Sequence, residues 1–223
     1  MPEPRPFDID PSRTALIVVD MQNDFVRVGA PLEVPDARAT IGPIRRTIDL
    51  FRQLRRPVVF TRFVAGPKET LLWKWSPQLR PPVNCCRPGF LRRYEDADQE
   101  LDCVAVIDEL PVQPGDYVVD KYWYGAFFRT NLCDILLSEH VDTTVVCGTV
   151  TQICVEETAR ESFHQGLKTV VLSDCVSSYD PGMHSSTLKN FALKFGRVLD
   201  SRTLAVEMGQ SAGPAASGDT ASV

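Results

Sequence analysis

The sequence predicts a three-layer α/β sandwich built on a parallel sheet. Two observations carry that expectation. Five short apolar runs, at residues 15–19, 58–62, 117–119, 143–147 and 168–172, are hydrophobic throughout rather than alternating. Strands buried on both faces read this way. Between them, apolar residues recur at helical spacing, and strand–helix alternation of this kind produces helices on both faces of one sheet. No G-x-G-x-x-G follows any run, so nothing supports a dinucleotide or another cofactor.

Taken in order, residues 1–12 are rich in proline and read as an extended N-terminal arm ahead of a domain spanning 13–208. The first run ends at Asp20. A helix follows, with Ile44, Ile48, Phe51 and Leu54 on its apolar face. After the second run, residues 64–103 break the pattern with Trp73, Trp75, Pro81-Pro82 and a charged stretch from Arg92 to Glu100. The segment is too long for an ordinary connection, and long loops in compact domains are usually functional or disordered. Its two tryptophans argue against disorder, so it reads as a structured insertion near the mouth of a site. The third run leads to Lys121, and the fourth leads through Gly148 to Cys154. Val155, Ala159 and Phe163 mark a helix after that cysteine, and Leu188, Phe191, Ala192 and Phe195 mark another. Residues 209–223 are small and polar, the composition of a disordered tail.

Composition narrows the function. The 223 residues fit one domain, and 43% hydrophobic with 24% charged residues is ordinary for a soluble globular chain. A net charge of −5 and the lack of a Lys/Arg run argue against a nucleic-acid partner. No apolar stretch approaches the ~18 residues of a membrane span. Met1-Pro2-Glu3-Pro4-Arg5-Pro6 does not resemble a signal peptide. Seven cysteines without C-x-x-C spacing or a disulfide-like framework fit reduced thiols in a cytoplasm.

Strand ends are where ligands bind in such sheets, and Asp20, Lys121 and the turn before Cys154 all lie there. A cysteine at a helix start meets the positive end of the helix dipole and free backbone N–H groups, which favour thiolate and oxyanion. Cys154 is therefore a candidate nucleophile, whereas Cys147 and Cys175 read as buried and inert. Asp20 can cap a turn or relay a proton. Its neighbour Asp24 reads as the residue that holds the loop after the strand. Lys121 and Asp120 are adjacent, and either can point inward.

Three motifs carry a resemblance. Val19-Asp20-Met21-Gln22-Asn23-Asp24-Phe25 is the first. Lys121, Tyr124, Ala126, Phe127, Thr130 and Leu132 form the second, and Gly148, Thr151, Cys154 and Val155 the third. In this order and spacing the chain resembles the isochorismatase-like cysteine hydrolases, from about residue 13 to about residue 206. The resemblance implies a six-stranded, mainly parallel sheet of Rossmann-like order. It implies a cysteine hydrolase that cleaves a C–N bond of a small amide, ureido or carbamoyl compound through a thioester. Asp20 would be the general base, Lys121 the stabilising cation and Cys154 the nucleophile. The backbone N–H groups of Val150 and Cys154 would form the oxyanion hole, beside a cis peptide at Thr149–Val150. Family members usually assemble as homodimers or homotetramers.

Metal-using relatives carry an Asp and two His after the second strand. The three histidines here are His140, His164 and His184, so no metal is expected, and His164 and His184 read as packing or surface residues. Phe25, Tyr124, Phe127 and Thr151 flank the catalytic positions as candidate substrate-binding residues, with Trp73 and Trp75 as candidate lid residues. Two other readings remain. One is vinyl-ether hydrolysis of the isochorismatase type, against which Cys154 argues. The other is a non-catalytic or redox-sensing member of the fold.

Overall fold

The computed structural model describes residues 6–209. Residues 1–5 of the expected arm, and the expected tail apart from Gly209, lie outside them. The central sheet contains β1 (Thr14–Val19), β2 (Val58–Phe63), β5 (Tyr117–Lys121), β6 (Thr143–Thr149), β7 (Lys168–Ser177) and β8 (Arg197–Leu199). Its order is β5-β2-β1-β6-β7-β8, and every pairing is parallel. A short antiparallel hairpin, β3 (Leu91–Arg93) with β4 (Glu100–Asp102), stands apart in the insertion. All five apolar runs are strands; the sixth, β8, has three residues and had no run to mark it.

The unbroken apolar character of the strands follows from two cores. In β1, Leu16 and Val18 face one core while Ala15, Ile17 and Val19 face the other. Phe60 and Val145 join the first, and Val59 and Val146 the second. Helix α2 (Ala37–Gln53) covers the first face through Ile44, Ile48 and Phe51, together with α6 (Ser201–Glu207). Helices α3 (Leu132–Ser138), α4 (Glu156–His164) and α5 (Pro181–Lys194) cover the second. The short α1 (Asn23–Val26) follows β1 directly.

Rossmann-like order reverses direction between β1 and β6, which opens a crevice at their carboxyl ends. Gly148 lets the two strand ends close up there: its φ is +111°, and a Cβ in its place would lie 2.0 Å from the Val19 carbonyl oxygen. The insertion is lashed to the same region by Asp24. One Asp24 oxygen accepts from the Cys86 N–H, and the other from Arg92 Nε and the Tyr94 hydroxyl. Asp24 thus holds structure, as the sequence suggested. Gln22 does similar work, donating to the Phe63 and Val104 carbonyls and accepting from the Phe63 N–H. Described residues of the arm lie on the domain, with the Phe7 carbonyl accepting from Arg197.

Candidate active site

Three strand ends deliver three groups. Asp20 leaves β1 with a left-handed φ of 50°, a backbone state that aspartate tolerates better than most residues. On the neighbouring β2, Thr61 Oγ1 donates to Asp20 Oδ1 at 2.7 Å. Lys121, at the end of β5, reaches across so that Nζ stands 2.7 Å from Asp20 Oδ2. The ammonium also donates to the Trp123 and Tyr124 carbonyls and lies 5.3 Å from the Phe63 ring centre. Beyond the ion pair, Asp20 Oδ2 is a buried acceptor without a hydrogen bond. Asp120, the competitor of Lys121, instead pairs with Arg62 at the surface.

Cys154 completes the group, within reach of both Asp20 and Lys121. The peptide Thr149–Val150 that leads to it is cis. The cysteine does not open a regular α-helix. It sits in a π-helical turn, Thr151–Val155, from which α4 continues; such turns recur at functional sites. Its environment differs from the thiolate-favouring one expected of a helix start. Burial pushes the Cys154 pKa up to about 12; Lys121 opposes this and the Asp20 charge adds to it. Desolvation therefore outweighs the pull of the Lys121 charge, and the resting thiol keeps its proton. Burial works against the Lys121 charge as well, yet the Asp20 carboxylate beside it raises its pKa, so the ammonium persists.

Above Cys154 lies a cavity of about 520 Å³. Phe25, Phe63, Tyr124 and Tyr179 supply aromatic walls, Val150 and Ile153 border the thiol, and Pro31, Leu32 and Glu33 close one side. Phe63 packs edge-on against Phe25 and stacked against Tyr124. The insertion contributes Trp75, Ser76 and Gln78. Of the residues expected to bind substrate, Phe25, Tyr124 and Trp75 line this cavity, and Trp73, Phe127 and Thr151 do not. Trp73 is packed in the first core, because the turn Leu71–Lys74 directs it inward while Trp75 remains 80% exposed. Phe127 belongs to the second core, since α4 grips its loop: Thr158 accepts from the Ala126 N–H, and Glu161 from the Phe127 N–H. Thr151 is fully buried and turned toward Ser177 and His184. Thr61, Phe63, Glu33, Gln78 and Tyr179 had no sequence signal as site residues.

Among the described residues, Asp24, Cys85 and Cys86 form a group of three side chains able to ligate a metal. The Asp24 oxygens are already occupied by Arg92, Tyr94 and the Cys86 N–H.

A parallel α/β sandwich with thiol, carboxylate and ammonium buried together at its switch point has the layout of a cysteine hydrolase. Comparison with known proteins narrows that class. An isochorismatase domain is matched over residues 14–203. The chain is 30% identical to the ureidoacrylate amidohydrolase of Agrobacterium fabrum, over 87% of this chain and 90% of that protein. A cysteine hydrolase from Pseudomonas syringae pv. phaseolicola superposes with a TM-score of 0.81 at 28% identity, covering 93% of this chain and 98% of that one. N-carbamoylsarcosine amidase from Thermoplasma acidophilum does so with a TM-score of 0.67 at 31% identity, covering 85% and 96%. The chain belongs to the isochorismatase family. Within it, these relatives mark it as a cysteine hydrolase of carbon–nitrogen bonds other than peptide bonds, acting on amide or ureido compounds.

Proposed function

We propose that Cys154 is the nucleophile, Asp20 the proton carrier and Lys121 the stabilising cation of this hydrolysis. The observation that carries the reading is the buried Asp20 carboxylate, ion-paired with Lys121 through Oδ2, with a protonated Cys154 thiol within reach of both. Because the thiol is neutral at rest, attack and proton transfer proceed together. Asp20 takes the proton as Sγ bonds to the substrate carbonyl carbon, so no free thiolate accumulates. The N–H groups of Val150 and Cys154 hold the oxyanion. As the C–N bond breaks, the proton passes from Asp20 to the departing amine or ammonia. Water then attacks the thioester, again giving its proton to Asp20, and the thiol is restored as the acid leaves. Lys121 keeps its charge throughout.

The substrate is a small amide, ureido or carbamoyl compound that fits the aromatic cavity. Phe25, Tyr124 and Trp75 contact it, joined by Phe63 and Tyr179. Similarity to the ureidoacrylate amidohydrolase makes ureidoacrylate itself a first candidate. The protein works in the cytoplasm as a homodimer or homotetramer. No helix among the described residues is long and apolar enough to cross a membrane, which fits that setting. A panel of ureido, carbamoyl and carboxamide compounds, assayed for ammonia release with and without prior iodoacetamide, tests the function. The expected result is turnover that alkylation of Cys154 abolishes; turnover by protein shown by peptide mass mapping to be alkylated at Cys154 refutes it.

A further inference from the structure

We infer that His184 is a positioning residue for Cys154, acting through Thr151. This rests on the role proposed for the cysteine. Thr151 is the first residue of the π-helical turn that carries Cys154, and it is fully buried. Its Oγ1 lies 2.9 Å from the Ser177 carbonyl oxygen and 2.9 Å from His184 Nδ1. A hydroxyl has one proton. A carbonyl oxygen only accepts, so the contact with Ser177 is attractive only when the Thr151 proton lies along it. The second contact must then run the other way, with Nδ1–H donating to a lone pair on Oγ1. The geometry therefore selects the ring tautomer as well as its place.

The same carbonyl ties down the residue before the cis peptide. Thr149 Oγ1 donates to Ser177 O at 3.4 Å and accepts from Ser177 Oγ at 3.2 Å. Ser177 ends β7, Tyr179 of the following loop lines the cavity, and His184 sits in the first turns of α5. A second tie joins α5 to the residue after the π-turn: Thr187 Oγ1 donates to Glu156 Oε2 at 3.1 Å. Ser177 and His184 thus grip the start of the π-turn, and Thr187 grips the residue just beyond its end. Cys154 lies between these ties. Its sulfur, its N–H and the Val150 N–H keep their relative placement only while that turn is held. A displacement of about 1 Å in such a constellation can cost up to ~10²-fold in rate.

The test compares His184→Ala with His184→Asn in the full chain, on an amide the wild type hydrolyses. His184→Ala should lower kcat by about tenfold or more with KM within about twofold, since the substrate walls are untouched. His184→Asn, whose side-chain N–H can reach the same oxygen, should recover kcat to within about threefold. A separate readout needs no substrate. Long-range ¹H–¹⁵N correlation spectra of the wild type, assigned by the signal lost in His184→Ala, should show the neutral ring as the Nδ1–H tautomer. An alanine variant with wild-type kcat, an asparagine variant no better than alanine, or a neutral Nε2–H ring overturns the inference. If no amide is hydrolysed by the wild type, the functional reading falls and the tautomer alone decides this one.

Discussion

Lys121 Nζ stands 2.7 Å from Asp20 Oδ2, and neither side chain has any solvent exposure. Two charges removed from water compensate each other only while both are present. Deleting one leaves the other buried and unpaired, at a cost of about 3–5 kcal/mol. Lys121→Ala should therefore lower the melting temperature sharply. The double variant Lys121→Ala/Asp20→Asn should be more stable than the sum of the two single losses. Additive losses in a denaturation cycle would show that the pair is not coupled.

The raised pKa of Cys154 gives a pH signature. A thiol pushed up to about 12 is almost wholly protonated at neutral pH. Only the thiolate reacts with iodoacetamide. Without substrate, the alkylation rate of Cys154, followed by peptide mass mapping, should rise about tenfold per pH unit between pH 7 and 10. A rate that levels off by pH 8 would mean that Lys121 and the helix start have overcome desolvation.

The two tryptophans of the insertion separate by experiment. Trp73 is buried in the core, so Trp73→Ala should cost about 3–5 kcal/mol. It should leave the ranking of substrates by kcat/KM unchanged. Trp75 is exposed on the cavity rim, so Trp75→Ala should change stability by no more than about 0.5 kcal/mol while altering that ranking. The opposite pattern would remove Trp75 from the substrate site.

Gly148→Ala tests how tightly β6 must approach β1. The added Cβ meets the Val19 carbonyl at 2.0 Å in a backbone state that alanine rarely adopts. Overpacking and strain of about 1–3 kcal/mol each predict a loss of about 2–6 kcal/mol. Because Val19 precedes Asp20, the folded fraction should also be slow. A variant with wild-type stability and rate would show that the strand ends can separate freely.

The sheet could be read from the sequence because two-sided burial leaves a local signature: Leu16 and Ile17 face opposite cores, so both must be apolar. Strand β8 left none, having three residues and an arginine at its start. That Asp20, Lys121 and Cys154 lie together could be read because strand ends and motif spacing are local. Part of the wall could not, because Tyr179, Glu33 and Gln78 reach the cavity from segments that only the tertiary fold brings together. Phe127 and Thr151 show the converse. Each sits close to the site in sequence, but Glu161 fixes the loop that carries Phe127 and Ser177 holds Thr151, turning both away from it.

The most direct test of the account is the turnover of Cys154→Ala, measured on a substrate from the amide panel with the fold verified by circular dichroism. Removing a covalent nucleophile should lower kcat by roughly 10³-fold or more while the protein stays folded. A folded Cys154→Ala variant that keeps more than about a tenth of the wild-type rate, far above that expectation, would contradict it.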